Sequence, residues 1–213
     1  MNAKIASDIL SRPVALGACL LLVGLQPAAV FAGNPNLIVN GTFNEPGAGC
    51  AAGTTSVPGW TVSSGNVDFE DVTCSGLAAP SVETYFLDLT GSHADGASDV
   101  GVISQAITTE VGQAYRLSFY FGGNPQWQEF SLPNDSQLKA MAVFLNGSIV
   151  GVYSVATAGV SSTDPQWHRR FIEFTATSTS TTVTFESLNG SATNPSDFGP
   201  LLGDVIVTAI KTD

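Results

Sequence analysis

The chain has 213 residues, 12% of them charged, and a formal net charge of −11. Seven Lys and Arg against 18 Asp and Glu are too few for an extended basic surface, so nucleic acid and anionic lipid surfaces are excluded as partners. Abundant Ser, Thr, Asn and Gly describe instead the hydroxyl-rich surface of an extracellular β protein, to which neutral polar ligands such as glycans are suited.

The first element is an export signal. Lys4 and Arg12 precede the apolar run "VALGACLLLVGL", and "AVFA" supplies small residues at Val30 and Ala32 for cleavage. The expected organisation is therefore a signal peptide over residues 1–32 and a single domain over 33–213, secreted or periplasmic. The apolar run is too short to span a bilayer, so no membrane insertion is expected after cleavage. Cys19 leaves with the signal, and Cys50 and Cys74 remain as the one possible disulfide pair in an oxidising compartment.

Beyond the signal almost nothing reads as helix, because Gly, Pro and β-branched residues interrupt every candidate window. In chain order the strands are "NLIVNGTF", "GWTV", "NVDFE", "TYFLDLTG", "GVISQAIT", "AYRLSFYFGG", "LKAMAVFLNGSIVGVYSV", "WHRRFIEFTAT", "TTVTFESLNG" and "LGDVIVTAI". The segment from Pro46 to Val57 reads as a loop stapled by the disulfide. In "YRLSFYF", Tyr115, Leu117, Phe119 and Phe121 share one face, and Arg116, Ser118 and Tyr120 the other. Asn146-Gly147 between alternating apolar residues predicts a type I′ hairpin. With no crossover helices to join parallel strands, the fold class is all-β, an antiparallel two-sheet sandwich of jelly-roll type. Asn40, Asn134, Asn146 and Asn189 stand in N-x-[ST] sequons, and turn chemistry is the preferred reading of these pairs.

The ordered motifs "NLIVNGTFNEPG", "VPGWTVSSGNVDF", "FLDLTGS", "GVISQAITTEVGQAYRLSFYFGGNP", "FIEFTATSTSTTVTFESL" and "GPLLGDVIV" resemble the choice-of-anchor C family, which is similar in turn to the plant cell-wall proteins of domain of unknown function 642 (DUF642). The resemblance covers nearly the whole mature chain. It implies a galactose-binding-like jelly roll and a role in binding polysaccharide of the cell wall or matrix. The chain departs from the family in two places. The sorting tail common at the family's carboxyl terminus is not found after Lys211-Thr212-Asp213, so release, a periplasmic location or retention by a partner is expected. Gly203 stands where the closing motif commonly has an acid, and leaves Asp204 alone there.

The resemblance to jelly-roll carbohydrate-binding modules also implies a structural calcium ion, held between Asn44 or Glu45 and Asp204, with backbone carbonyls and water completing its six to eight oxygens. The acidic loop with Asp88, His93, Asp95 and Asp99 lacks the spacing of an EF-hand and is read as a polar connection. For ligand contact the expected residues are Trp127, whose flat face suits a sugar ring, with Asn124, Gln126 and Gln128 beside it and Asp88 nearby. Trp60 and Trp167 are read as packing residues. No G-x-S-x-G or H-E-x-x-H motif occurs, so no catalytic residue is assigned. The leading reading is a non-enzymatic secreted polysaccharide-binding protein. The alternatives are a structural or adhesion protein with a protein partner, and a glycan-cleaving enzyme using carboxyls such as Glu70, Asp71, Glu83 or Asp88.

Overall fold

Fourteen strands carry the fold in a computed structural model that describes residues 34–47, 49–82, 84–92, 99–128, 137–190 and 198–211. In chain order they are β1 (Ala51–Thr54), β2 (Ser56–Val57), β3 (Trp60–Ser64), β4 (Val67–Asp71), β5 (Tyr85–Asp88), β6 (Thr90–Gly91), β7 (Asp99–Val100), β8 (Val102–Thr108), β9 (Ala114–Gly123), β10 (Leu138–Leu145), β11 (Ser148–Ala156), β12 (His168–Thr175), β13 (Ser180–Ser187) and β14 (Pro200–Ala209). A one-turn helix α1 (Val72–Ser75) follows β4. The expected signal peptide, His93, Asp95, Glu83 and Asn134 lie outside the described residues, which all belong to one compact unit, Asn34–Asp213. Among the described residues no helix is long and apolar enough to cross a membrane.

Two six-stranded antiparallel sheets form the sandwich, one in the order β1-β4-β5-β14-β9-β12 and the other β11-β10-β13-β8-β3-β2. The all-β two-sheet expectation is met. Period-two alternation drives it: Tyr115, Leu117, Phe119 and Phe121 of β9 face the second sheet and are buried, while Arg116 points outward. Phe119 packs edge-on against Phe185 at 5.2 Å and against Tyr153 at 5.5 Å, and Trp60 links Phe43 to Phe185, so aromatics from both sheets close the core. Asn146 and Gly147 take φ of 50° and 80° between the paired Leu145 and Ser148, the two positive φ values of the expected type I′ turn. Cys50 and Cys74 are bonded, with Cα atoms 6.1 Å apart.

Two expectations are corrected. The first segment is a string of turns, because the Asn36 carboxamide occupies the hydrogen-bonding sites of an added strand. It donates to the Val205 carbonyl and accepts from Val207 and Ile38, and positive φ at Asn40 and Phe43 then bends the chain. The segment from Pro46 to Val57 contains β1 and β2, since Ala51 and Thr54 pair with Phe69 and Val67 and extend the sheet edge.

Asp204 sits where the register of β14 against β9 shifts, with φ of 47°. Asp is one of the few side chains that tolerates this left-handed conformation. The bulge delivers the Val205 N–H to the Gly41 carbonyl, and Gly41 has no room for a side chain because a Cβ there would lie 2.0 Å from the Val205 oxygen. Gly203 is likewise dictated by packing, since its Cβ would meet Pro80 Cγ at 2.8 Å.

Candidate functional site

The outer face of the sheet containing β9 and β14 carries most of the chain's unusual chemistry. At one end the stretch after β4 folds back over it. The Asp71 carboxylate accepts from the Thr73 N–H at 2.8 Å and caps α1, which holds the Asp71 carboxyl below its ordinary pKa, and Gly76 ends the turn at φ of 72°. Cys74 ties this turn to the sheet edge through Cys50. Beneath it Leu77, Phe86 and Leu201 form a second small core against Val72 and Trp167. Trp167 stands edge-on to Phe86 at 5.4 Å, donates its indole N–H to the Ala78 carbonyl at 2.8 Å, and lies over Gly122, where a Cβ would approach it within 2.9 Å. The packing role expected for Trp167 is what the structure shows.

Next to this core the backbone brings together Asp68, Glu70 and Asp88. Asp68 faces Asp88 across the β4–β5 ladder and Glu70 faces Phe86. Asp88 is 1% exposed and serves as a hub, accepting from the Thr90 N–H at 2.9 Å, from the Gly199 N–H at 3.0 Å on both oxygens, and from the Asn124 carboxamide at 2.9 Å. Burial and then the Asp68 charge push its pKa up to about 7, against the pull of those donors. Glu70, desolvated and facing the charges of Asp88 and Asp68, is pushed up to about 8. Asp68 accepts from the Gly53 and Ser92 N–H groups and the Ser92 hydroxyl. Among the described residues the donors converge on Asp88, which draws its carboxyl back toward the charged form, while desolvation dominates at Glu70.

The expected ligand residues Asn124, Gln126 and Asp88 do come together, but they are consumed by the fold. Asn124 is 2% exposed, and its carboxamide oxygen accepts from the Gln126 N–H while Gln126 donates its side-chain N–H to the Ser75 carbonyl at 2.6 Å. Trp127 is half-buried and points its indole N–H at the Thr157 hydroxyl, 2.9 Å away, beside the fully buried Lys139. The Gln128 side chain lies outside the described residues. These groups position the loop after β9. Asn40 and Asn189 are similarly committed, Asn40 to the Glu45 and Pro58 carbonyls and Asn189 to the Leu138 carbonyl and the Ala140 N–H.

For calcium, Asn44 and Glu45 are both exposed on the outside of a turn whose polar contacts run to Asn40, and Asp204 occupies the bulge. Among the described residues no three His, Cys, Asp or Glu side chains are grouped to hold a metal ion.

Beyond the small core the same outer face is open. The β9–β12 register sets Arg169 beside Tyr120, Phe171 beside Ser118 and Glu173 beside Arg116. Phe171 is 53% exposed, with the Arg169 guanidinium 5.1 Å and the Arg116 guanidinium 6.0 Å from its ring centre. Arg169 also lies 6.0 Å over Tyr120, while Arg116 forks onto Glu173 Oε1 at 2.7 Å and 3.0 Å. The result is a flat strip of two rings and two cations along an edge strand. Sequence reasoning found its outward-facing half in Arg116 and Tyr120 but not the strip, because the register that joins β9 to β12 is not written in either strand. Two clefts at the Tyr115 end of the sandwich enclose about 210 Å³ and 180 Å³.

The family described as protein of unknown function (DUF642) has a model that matches residues 36–208. Halomucin of Haloquadratum walsbyi (strain DSM 16790 / HBSQ001) is 28% identical over 196 residues, 85% of this chain, and the chain spans 2% of that protein's length. Among solved structures, TmCBM61 in complex with beta-1,4-galactotriose aligns over 83% of this chain and 99% of its own, at 18% identity and a TM-score of 0.53. The Stig cyclase Fisc from Fischerella sp. TAU aligns over 84% of this chain and 98% of its own, at 13% identity and a TM-score of 0.51. At such identities the likeness shows the jelly-roll fold, which a binding module and an enzyme here share.

Proposed function

The chain belongs to the DUF642 family, and from that premise we propose that it is a non-catalytic polysaccharide-binding protein, exported by the leader read in residues 1–32 and acting at a cell wall or matrix. The observation that carries this reading is the open strip of Tyr120 and Phe171 between Arg169 and Arg116, a surface on which a sugar ring can lie while the guanidiniums bond its oxygens. The jelly roll shared with a module solved with galactotriose supports the same reading. Catalysis by paired carboxyls is disfavoured because Asp88 is buried and its oxygens are engaged by backbone and Asn124 donors, out of a substrate's reach.

The test is titration of the protein with a panel of cell-wall and matrix polysaccharides and with β-1,4-galactotriose. Binding is expected, and Phe171→Ala and Tyr120→Ala are expected to weaken it about tenfold or more, the scale of a truncated anchor residue. If no glycan binds, the reading is wrong. The adhesion alternative has its own observation, the exposed Ile149, Val150 and Val152 on edge strand β11. Recovery of a protein partner that these residues hold and glycans do not release would favour it.

A further inference from the structure

The strip is cationic in a chain that is otherwise strongly acidic. Three of its seven Lys and Arg, namely Arg116, Arg169 and Arg170, fall on the two adjacent strands β9 and β12. Arg169 is exposed, and no carboxylate among the described residues pairs with it; its partners are the rings of Phe171 and Tyr120. Resting on rings leaves the edge of the guanidinium, with its fork of N–H donors, free to bind an anion. Arg170 turns the other way over Tyr153 at 5.5 Å, with its buried Nε lacking an acceptor, and adds to the positive potential of this edge. The buried acid cluster is remote. The Asp68, Glu70 and Asp88 cluster starts three strands from β12, about 14 Å at roughly 4.8 Å per strand, beyond a Debye length of about 8 Å. Among the described acids nearer the strip, Glu173 is held by Arg116, and Asp204 lies in the bulge of β14, one strand from β9.

We propose that this strip recognises a carboxylate-bearing glycan, with a uronate sugar ring on Phe171 and Tyr120, its carboxylate on Arg169, and Arg116 as a second anion contact that Glu173 partly occupies. The planar fork of an arginine matches a carboxylate in two parallel hydrogen bonds, and the aromatic rings beneath it supply the sugar-facing plane. The proposal rests on the polysaccharide-binding reading and names the ligand class of the same face.

Calorimetric titration with oligogalacturonate, with the same oligosaccharide after reduction of its carboxyls to alcohols, and with β-1,4-galactotriose tests it, at low and at raised salt. The acid is expected to bind at least tenfold more tightly than its reduced counterpart, and salt is expected to weaken only the acid. Arg169→Gln, an exposed site where folding is not at stake, should erase that preference and leave neutral-sugar binding in place. Glu173→Gln should tighten the acid several-fold by freeing Arg116. Equal binding of acid and reduced sugar, or an Arg169→Gln variant that keeps the preference, overturns the proposal while the polysaccharide reading stands. Dextran sulfate binding as tightly as oligogalacturonate overturns the assignment to carboxylate. If none of the sugars binds, the proposal falls together with the polysaccharide reading.

Discussion

Replacing Glu70 by Gln probes the buried acid cluster directly. Glu70 is desolvated on β4 beside Asp88 and Asp68, which moves its carboxyl from 4.5 to about 8. Between those two values the unfolded chain has released a proton that the folded chain still holds, so stability falls by about 1.4 kcal/mol per pH unit. The stabilisation is complete below the unfolded value and gone above the folded one, a total on the order of 5 kcal/mol across the window. Asp88, moved from 3.8 to about 7, adds a slope of the same sign at lower pH. Gln keeps the shape and removes the proton equilibrium. Urea unfolding followed by tryptophan fluorescence should therefore give a wild type that weakens steadily as pH rises, and a Glu70→Gln variant whose curve flattens once Asp88 has ionised. Near pH 8 the variant should be the more stable by a few kcal/mol. Parallel curves for the two proteins would refute the burial and charge argument for Glu70.

The same physics bears on other positions. Asn124→Ala removes a donor from Asp88 and an acceptor from the Gln126 N–H, and should cost about 1–3 kcal/mol, more above pH 7 where Asp88 is ionised, while leaving glycan affinity close to wild type. Gly203→Asp should destabilise by about 1–3 kcal/mol because its Cβ drives into Pro80, as read from thermal melts. With no three His, Cys, Asp or Glu side chains grouped to hold a metal ion among the described residues, the melting temperature should be the same in chelator and in millimolar calcium; a clear rise with calcium would show a bound ion, since binding only to the folded state must stabilise it.

The sandwich was legible because its signals are local. Alternation in "YRLSFYF" places Leu117, Phe119 and Phe121 inward without reference to any other strand, and Asn146-Gly147 carries its turn type in two residues. The Cys50–Cys74 pair followed from the count of cysteines. The first segment was misread because its apolar pattern suits a strand, and only the distant Val205 and Val207 reveal that Asn36 fills the ladder positions. The site was half legible for a similar reason. Asn124, Gln126 and Asp88 read as polar ligand candidates, but their burial and mutual bonding depend on how β5, β9 and β14 meet. The Phe171 strip needed the pairing of β9 with β12, a contact between strands some fifty residues apart, to bring its rings and cations side by side.

Chemical-shift mapping of the labelled protein during titration with oligogalacturonate tests the central claim most directly. The account predicts saturable shifts at Arg116, Tyr120, Arg169, Phe171 and their β9 and β12 neighbours, with little change at Asn124, Gln126 and Trp127. Shifts confined to residues 124–128, or none at all, would contradict it.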